Sequence, residues 1–284
     1  MHAARFTDGA TTLLAIRESD GWLPADPQPD SILDLLSTDG GARSANDPIG
    51  GGYRPTVPFR PPRNIMCLGK NFREHALEFA AYSADSESVP THPIVFTKAP
   101  EALCGAEDTI EVRRDGAGAL DYEAELAVVI GRAGSTIPRE RALDHVAAYT
   151  IVNDVTARDI QERHRQWFLG KSLPRATPIG PSLVTPEELG ALDELRITSH
   201  VNGELRQSAV LGDMIFGVAE TIARVSALVP LCRGDIISMG TPSGVGIGFS
   251  PPRFLEDGDT VVCAIEGIGE LRNVVRIIDP EEEP

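Results

Sequence analysis

The hydrophobic pattern changes period several times along the chain. Residues 11–17 alternate apolar and polar, residues 31–37 carry a brief helical pattern, and Pro24, Pro27, Pro29, Pro48, Pro55 and Pro58 punctuate the region. Residues 1–60 therefore read as a small N-terminal β-rich domain and linker. The texture changes at Asn64. Ile65-Met66-Cys67-Leu68 is the uninterrupted apolar run of a buried strand, and after Gly69 a polar helix is predicted over 71–81. Strand patterning recurs at 93–98, 123–130, 147–155, 197–202, 235–239 and 260–265, and Asn202-Gly203 between two such runs predicts a type I′ hairpin. Thr185-Pro186-Glu187-Glu188 has the form of a helix start, and residues 213–228 follow the 3.6-residue apolar period. The expectation is a mainly β chain with α, of the α+β class, whose second unit spans 61–284.

Composition narrows the class. With 284 residues, 42% hydrophobic and 24% charged, the chain has enough apolar material for a true core. Its 42 acidic residues against 26 Lys+Arg give a formal charge of −16, the opposite of what nucleic acid or an anionic membrane selects. No apolar run approaches the ~20 residues of a membrane span, and the N-terminus lacks a secretory apolar region, so a cytoplasmic protein is expected. The four cysteines, Cys67, Cys104, Cys232 and Cys263, lie far apart and are expected to be buried thiols. Lysine occurs only at 70, 98 and 171, so arginine is the default cation and each lysine is a candidate for a special place.

Chemistry concentrates in a few segments. In Leu120-Asp-Tyr-Glu-Ala-Glu-Leu-Ala-Val-Val-Ile-Gly131 the strand period puts Glu123 and Glu125 on one face, continued by apolar Ala127 and Val129. Two buried carboxylates so close repel and resist desolvation, so something cationic must compensate or one of them must protonate, and a hard divalent cation is the economical answer. Asp154, at the end of the 147–155 pattern, is a third candidate ligand. Three carboxylates without Cys or His suit Mg²⁺ or Mn²⁺, with Ca²⁺ also compatible, and do not suit zinc. His75 and Glu78 are three apart on the predicted helix and can form an acid–base pair, with a polar loop over 82–90 as the hinge of a lid. Thr156 and Asp159 read as a weak capping box, which keeps Asp159 out of the metal set. Gly170-Lys171-Ser172 lacks the earlier glycine of a phosphate loop, and the run Gly240 to Gly246 meets neither the dinucleotide nor the nucleophile-elbow pattern. The backbone donors of that run and the Thr241 hydroxyl could instead bind a carboxylate.

Taken in order, Gly69-Lys-Asn-Phe-Arg-Glu-His75-Ala-Leu-Glu78, Pro93-Ile-Val-Phe-Thr-Lys98, Asp121-Tyr-Glu123-Ala-Glu125-Leu, Asn153-Asp154-Val-Thr-Ala-Arg158-Asp-Ile-Gln161, Gly170-Lys171 and Gly240-Thr241-Pro242-Ser-Gly244-Val245-Gly246 resemble the fumarylacetoacetate hydrolase family. The likeness runs from about residue 64 to 278, and its diketo-acid hydrolase and dienoate-isomerase branches look nearest. The resemblance implies a mixed β-sandwich roll, a homodimer and a divalent metal on the equivalents of Glu123, Glu125 and Asp154. It also implies a His75–Glu78 catalytic dyad, Lys171 beside the metal, Gln161 placing water or substrate, Arg158 in support and Thr241 on a substrate carboxylate.

A 2-oxo acid is the expected partner. It chelates a divalent ion through carboxylate and keto oxygens, and C–C cleavage of an acylpyruvate or diketo acid would leave an enolate stabilised by the metal and Lys171, with His75 and Glu78 activating water. Hydrolysis is the leading expectation. Oxaloacetate-type decarboxylation and dienoate isomerisation or hydration are its rivals within the family, and a non-catalytic 2-oxo-acid binding protein is the rival outside it.

Overall fold

The computed structural model describes residues 1–19, 21–37, 43–44, 47–80, 89–116 and 118–279. Among them, twelve strands form one sheet and five form a second. The large sheet runs from Arg43–Ser44 through Gly21–Asp26, Thr12–Glu18, His2–Thr7, Thr177–Val184, Val146–Asn153, Ala124–Ile130, Ile236–Ser238 and Ile65–Gly69 to the edge strand Ile94–Lys98. The N-terminal strands continue this sheet, through the pairs His2–Val184 and Ala3–Leu183. The second sheet, ordered Glu204–Val210, Arg196–Val201, Thr260–Ile265, Gly269–Ile278, Ile110–Arg113, packs across the first.

The main core fills the space between the sheets. Leu126, Val128, Ile130, Tyr149 and Ile151 from one side meet Ile197, Val261, Cys263, Ile265, Leu271 and Val275 from the other. Ala127, Val152, Ile179, Cys67 and Ile236 form a separate cluster on the opposite face of the large sheet. Ala124–Ile130 is therefore covered on both faces and every residue in it is buried, which explains why it is apolar apart from Glu125. Glu125 lies within this strand and is buried.

Three local readings differ from expectation. Residues 213–228 form a helix only over Val218–Ser226, because Leu211–Asp213 is a separate tight turn and Phe216 is tied by its N–H to Asn71 Oδ1. Thr156 caps no helix. It lies in a strand paired with Asp121, and its hydroxyl donates to the Asp154 carbonyl at 2.8 Å, so the capping box does not form. Cys67, Cys104 and Cys263 are buried as expected, whereas Cys232 is exposed, in the turn where its N–H donates to Asp235. The hairpin at 202–203 has both residues at positive φ, 51° and 82°, as a type I′ turn requires. No helix of the described residues is long and apolar enough to cross a membrane.

Candidate active site

Strand register assembles the carboxylates. Ala124 pairs with Asn153 and Glu125 with Val152, so the next rung outward sets Glu123 beside Asp154, whose N–H donates to the Glu123 carbonyl at 2.8 Å. Glu125 lies two residues inward on the same face. One oxygen from each of Glu123, Glu125 and Asp154 falls within 4.8 Å of the others, and all three residues are buried. The neighbouring strand Ile236–Ser238 completes the frame: the Ser238 hydroxyl and the Gly240 N–H donate to Glu125 Oε2 at 2.5 and 3.1 Å.

Buried cations answer these acids. Lys171 donates to Glu123 at 2.6 Å and Asp154 at 2.8 Å, and its ammonium lies 5.0 Å from the centre of the Phe96 ring. Arg158 bridges Asp121 at 2.9 Å and Glu123 at 2.6 Å and donates to Gln161 Oε1 at 3.1 Å. Lys98, completely buried, donates to Asp154 Oδ1 at 2.6 Å and the Val155 carbonyl at 3.1 Å. Close contact between the helices Arg158–His164 and Phe168–Lys171 positions Lys171, and it needs Gly170: a Cβ there would come within 2.7 Å of the Gln161 nitrogen.

Lys98, Arg158 and Lys171 bond to Asp121, Glu123 and Asp154, whereas Glu125 is met by the Ser238 hydroxyl and the Gly240 N–H. The Glu125 carboxyl is pushed well above the usual range by burial and by the neighbouring Asp154 and Glu123. Burial also opposes ionisation of Glu123, but Lys171, Arg158 and His75 outweigh it and hold that carboxyl at about 2. The Lys171 ammonium is disfavoured by burial yet raised on balance by Asp154 and Glu123. A divalent cation fits this arrangement, because three buried carboxylates converge and the donors are all oxygen; Mg²⁺ or Mn²⁺ matches such a set.

The acid–base pair forms on the opposite wall. The helix Arg73–Ala80 places His75 Nδ1 3.2 Å from Glu78 Oε2, with His75 buried. The Gly244 N–H donates to both Glu78 oxygens at 3.1 and 3.3 Å. Gly248 lies against the same carboxylate, so a Cβ there would come within 2.0 Å of Oε1. The loop expected at 82–90 lies mostly outside the described residues, at 81–88.

Thr241 is oriented differently from the sequence reading. Its hydroxyl donates to the Ala124 carbonyl at 2.9 Å and accepts from Gln207 Nε2 at 2.7 Å, so its proton faces the protein rather than a ligand. His75, Glu123, Glu125, Arg158, Gln161, Lys171 and Thr241 nonetheless line one narrow cleft. Lys98, Asp121, Ser238 and Gln207 were not singled out as site residues from sequence. Rarity of lysine was the available signal for Lys98, and the position of Asp121 in the Asp-Tyr-Glu run was the signal for the second.

An α+β fold that brings a buried carboxylate triad together with a histidine–glutamate pair defines a site with the groups to hold a divalent cation and to move a proton. The chain belongs to the fumarylacetoacetate hydrolase family: the model for the fumarylacetoacetate hydrolase C-terminal region matches residues 64–276. It is 49% identical over 216 residues to oxaloacetate tautomerase YisK of Bacillus subtilis strain 168, covering 76% of this chain and 70% of that protein. Among solved structures it is similar to a fumarylacetoacetate hydrolase of Exiguobacterium antarcticum (TM-score 0.85, 38% identity, 98% of this chain and 100% of that one). It also resembles the 2-hydroxyhepta-2,4-diene-1,7-dioate isomerase of Mycobacterium marinum (TM-score 0.78, 29% identity, 99% and 100% covered).

Proposed function

We propose that this protein enolises a small 2-oxo diacid with the help of a divalent cation, interconverting the keto and enol forms of an oxaloacetate-type substrate. The observation that carries this reading is that His75, paired with Glu78, lines one narrow cleft with Glu123 and Glu125 of the carboxylate triad and with Arg158 and Lys171. Likeness to an oxaloacetate tautomerase at 49% identity supports the same class.

Glu123, Glu125 and Asp154 would hold Mg²⁺ or Mn²⁺, which when bound draws electron density from the keto oxygen of a 2-oxo acid. The remaining work belongs to the side chains. With Nδ1 engaged by Glu78, Nε2 of His75 takes the C3 proton, and Glu78 stabilises the imidazolium that results. Gly244 fixes Glu78 in place for that task. Returning the proton to the C2 oxygen gives the enol, and returning it to C3 regenerates the keto form, so only a C–H bond breaks. Lys171 supplies positive charge beside the oxygen that becomes negative, and Arg158 with Gln161 orients the C1 carboxylate. Thr241 contacts the substrate through its backbone N–H, since its hydroxyl proton is engaged by Ala124.

Hydrolysis of an acylpyruvate is the second reading, favoured by the likeness to the Exiguobacterium antarcticum hydrolase. There the same dyad would deprotonate water for attack on the C4 carbonyl. The two readings differ in the fate of a C–C bond. Oxaloacetate and acetylpyruvate, each followed by NMR in D₂O with Mg²⁺, separate them. Enolisation predicts rapid C3 deuterium exchange in oxaloacetate without release of pyruvate. Pyruvate release from either acid with a kcat/KM matching that of exchange would overturn it.

A further inference from the structure

Only three lysines occur in the chain, and the fold brings all three to the candidate site. Lys98 and Lys171 neutralise Asp154 and Glu123. Lys70 lines the cleft from a different element, the connection between the strand Ile65–Gly69 and the helix that carries His75, and is only 5% exposed.

Its backbone sits at φ 56°, in the left-handed region that glycine enters freely and lysine only at a cost. Both neighbours enforce that conformation. Gly69 packs against the Trp167 ring so closely that a Cβ would come within 2.5 Å of it. Asn71 donates to the Phe216 and Met239 carbonyls at 3.1 and 2.7 Å and accepts the Phe216 N–H at 2.8 Å. Glycine at position 70 would satisfy the turn with less strain. A lysine is held there instead, lining the cleft, and backbone strain of this kind persists where a side chain has a use.

We propose that Lys70 is the specificity residue for the second carboxylate of a 2-oxo diacid. This rests on the enolising function proposed above. The 2-oxo end belongs to the triad wall, where Arg158 is engaged by Asp121, Glu123 and Gln161, and Lys171 by Glu123 and Asp154. A carboxylate at the far end carries another charge into a buried space and requires a cation there. Lys70, on the segment leading to His75, provides it, so that the triad, His75 and Lys70 address C1–C2, C3 and C4 in turn.

The test compares C3 deuterium exchange in oxaloacetate and in pyruvate, at fixed Mg²⁺, for the wild type and for Lys70→Arg, Lys70→Met and Lys70→Gly. A hydrogen bond to a charged group is worth enough to shift selectivity by ~10- to 150-fold. The preference for the diacid is expected to fall by that factor in Lys70→Met and Lys70→Gly, through KM for oxaloacetate rather than kcat, and to be largely kept in Lys70→Arg. Lys70→Gly relieves the backbone and should retain or raise Tm, so its loss of preference cannot come from misfolding. An unchanged preference, or a parallel fall for both acids, overturns the assignment of Lys70 and leaves the enolising function standing. A wild type that exchanges neither acid overturns both.

Discussion

Replacing Lys98 with methionine keeps an unbranched side chain one atom shorter and removes the ammonium group with its charge and hydrogen bonds. In the native protein Lys98 is fully buried and donates to Asp154, itself fully buried, and to the Val155 carbonyl. The variant leaves Asp154 with Lys171 alone, and Lys171 is already shared with Glu123. Breaking a buried pair from one side costs ~3–5 kcal/mol, because the stranded charge has lost its water as well as its partner. At roughly 2–4 °C per kcal/mol for a chain of this order of size, Tm of the metal-free protein should fall by ~6–20 °C. Calorimetry after dialysis against EDTA measures this directly. A divalent cation at the triad puts positive charge beside Asp154, so Mg²⁺ should raise Tm more in Lys98→Met than in the wild type. The double variant with Asp154→Asn should lose less than the sum of the two single losses, since neither charge is then stranded. A Lys98→Met protein within ~1 kcal/mol of the wild type, or single losses that simply add, would refute this electrostatic account.

Three further perturbations probe the same site. Glu125 is raised by burial and by Asp154 and Glu123, so folding takes up a proton there; that stabilisation is complete below the ordinary carboxylate pKa of about 4.3 and is lost as pH rises through the higher folded value. In EDTA, the Tm advantage of Glu125→Gln over the wild type should therefore widen from acid to neutral pH, and a constant gap would contradict that proton uptake. Gly248→Ala drives a methyl group into Glu78 Oε1 and should lower the exchange rate by ~10²-fold with Tm little changed; full activity would show that Glu78 is not held there for catalysis. Glu123→Ala should abolish the Mg²⁺ dependence of both activity and Tm, checked by titrating metal into the EDTA-treated protein, and persistent dependence would place the ion elsewhere.

Much of this site was legible in the sequence because strand geometry is local. A period of two alone sets Glu123 and Glu125 on one face, and helical spacing alone lets His75 reach Glu78. The central strands were legible for a related reason: Ala124–Ile130, buried on both faces, has no polar interruption beyond its one functional acid. What escaped depends on which distant segments pair. Lys98 meets Asp154 across 56 positions, and Gln207 turns the Thr241 hydroxyl inward from a strand of the other sheet, so neither could be read from spacing. Thr156 misled because its sequence context fits a cap while its pairing with Asp121 makes it a strand. Gly269–Ile278 alternates in burial along much of its length, LRNVVR in the sequence, yet it was not singled out there as a strand. Its alternation is plain only beside the partners it covers.

The central claim is that His75, paired with Glu78 opposite the carboxylate triad, moves the C3 proton of a 2-oxo diacid. Its most direct test is the rate of keto–enol interconversion of oxaloacetate, followed by stopped-flow absorbance of the enol at fixed Mg²⁺, in the wild type and in His75→Ala. Removing a general base typically costs ~10²–10⁴-fold, and a fall of that size is the predicted result. A His75→Ala protein that equilibrates the two forms at close to the wild-type rate would contradict it.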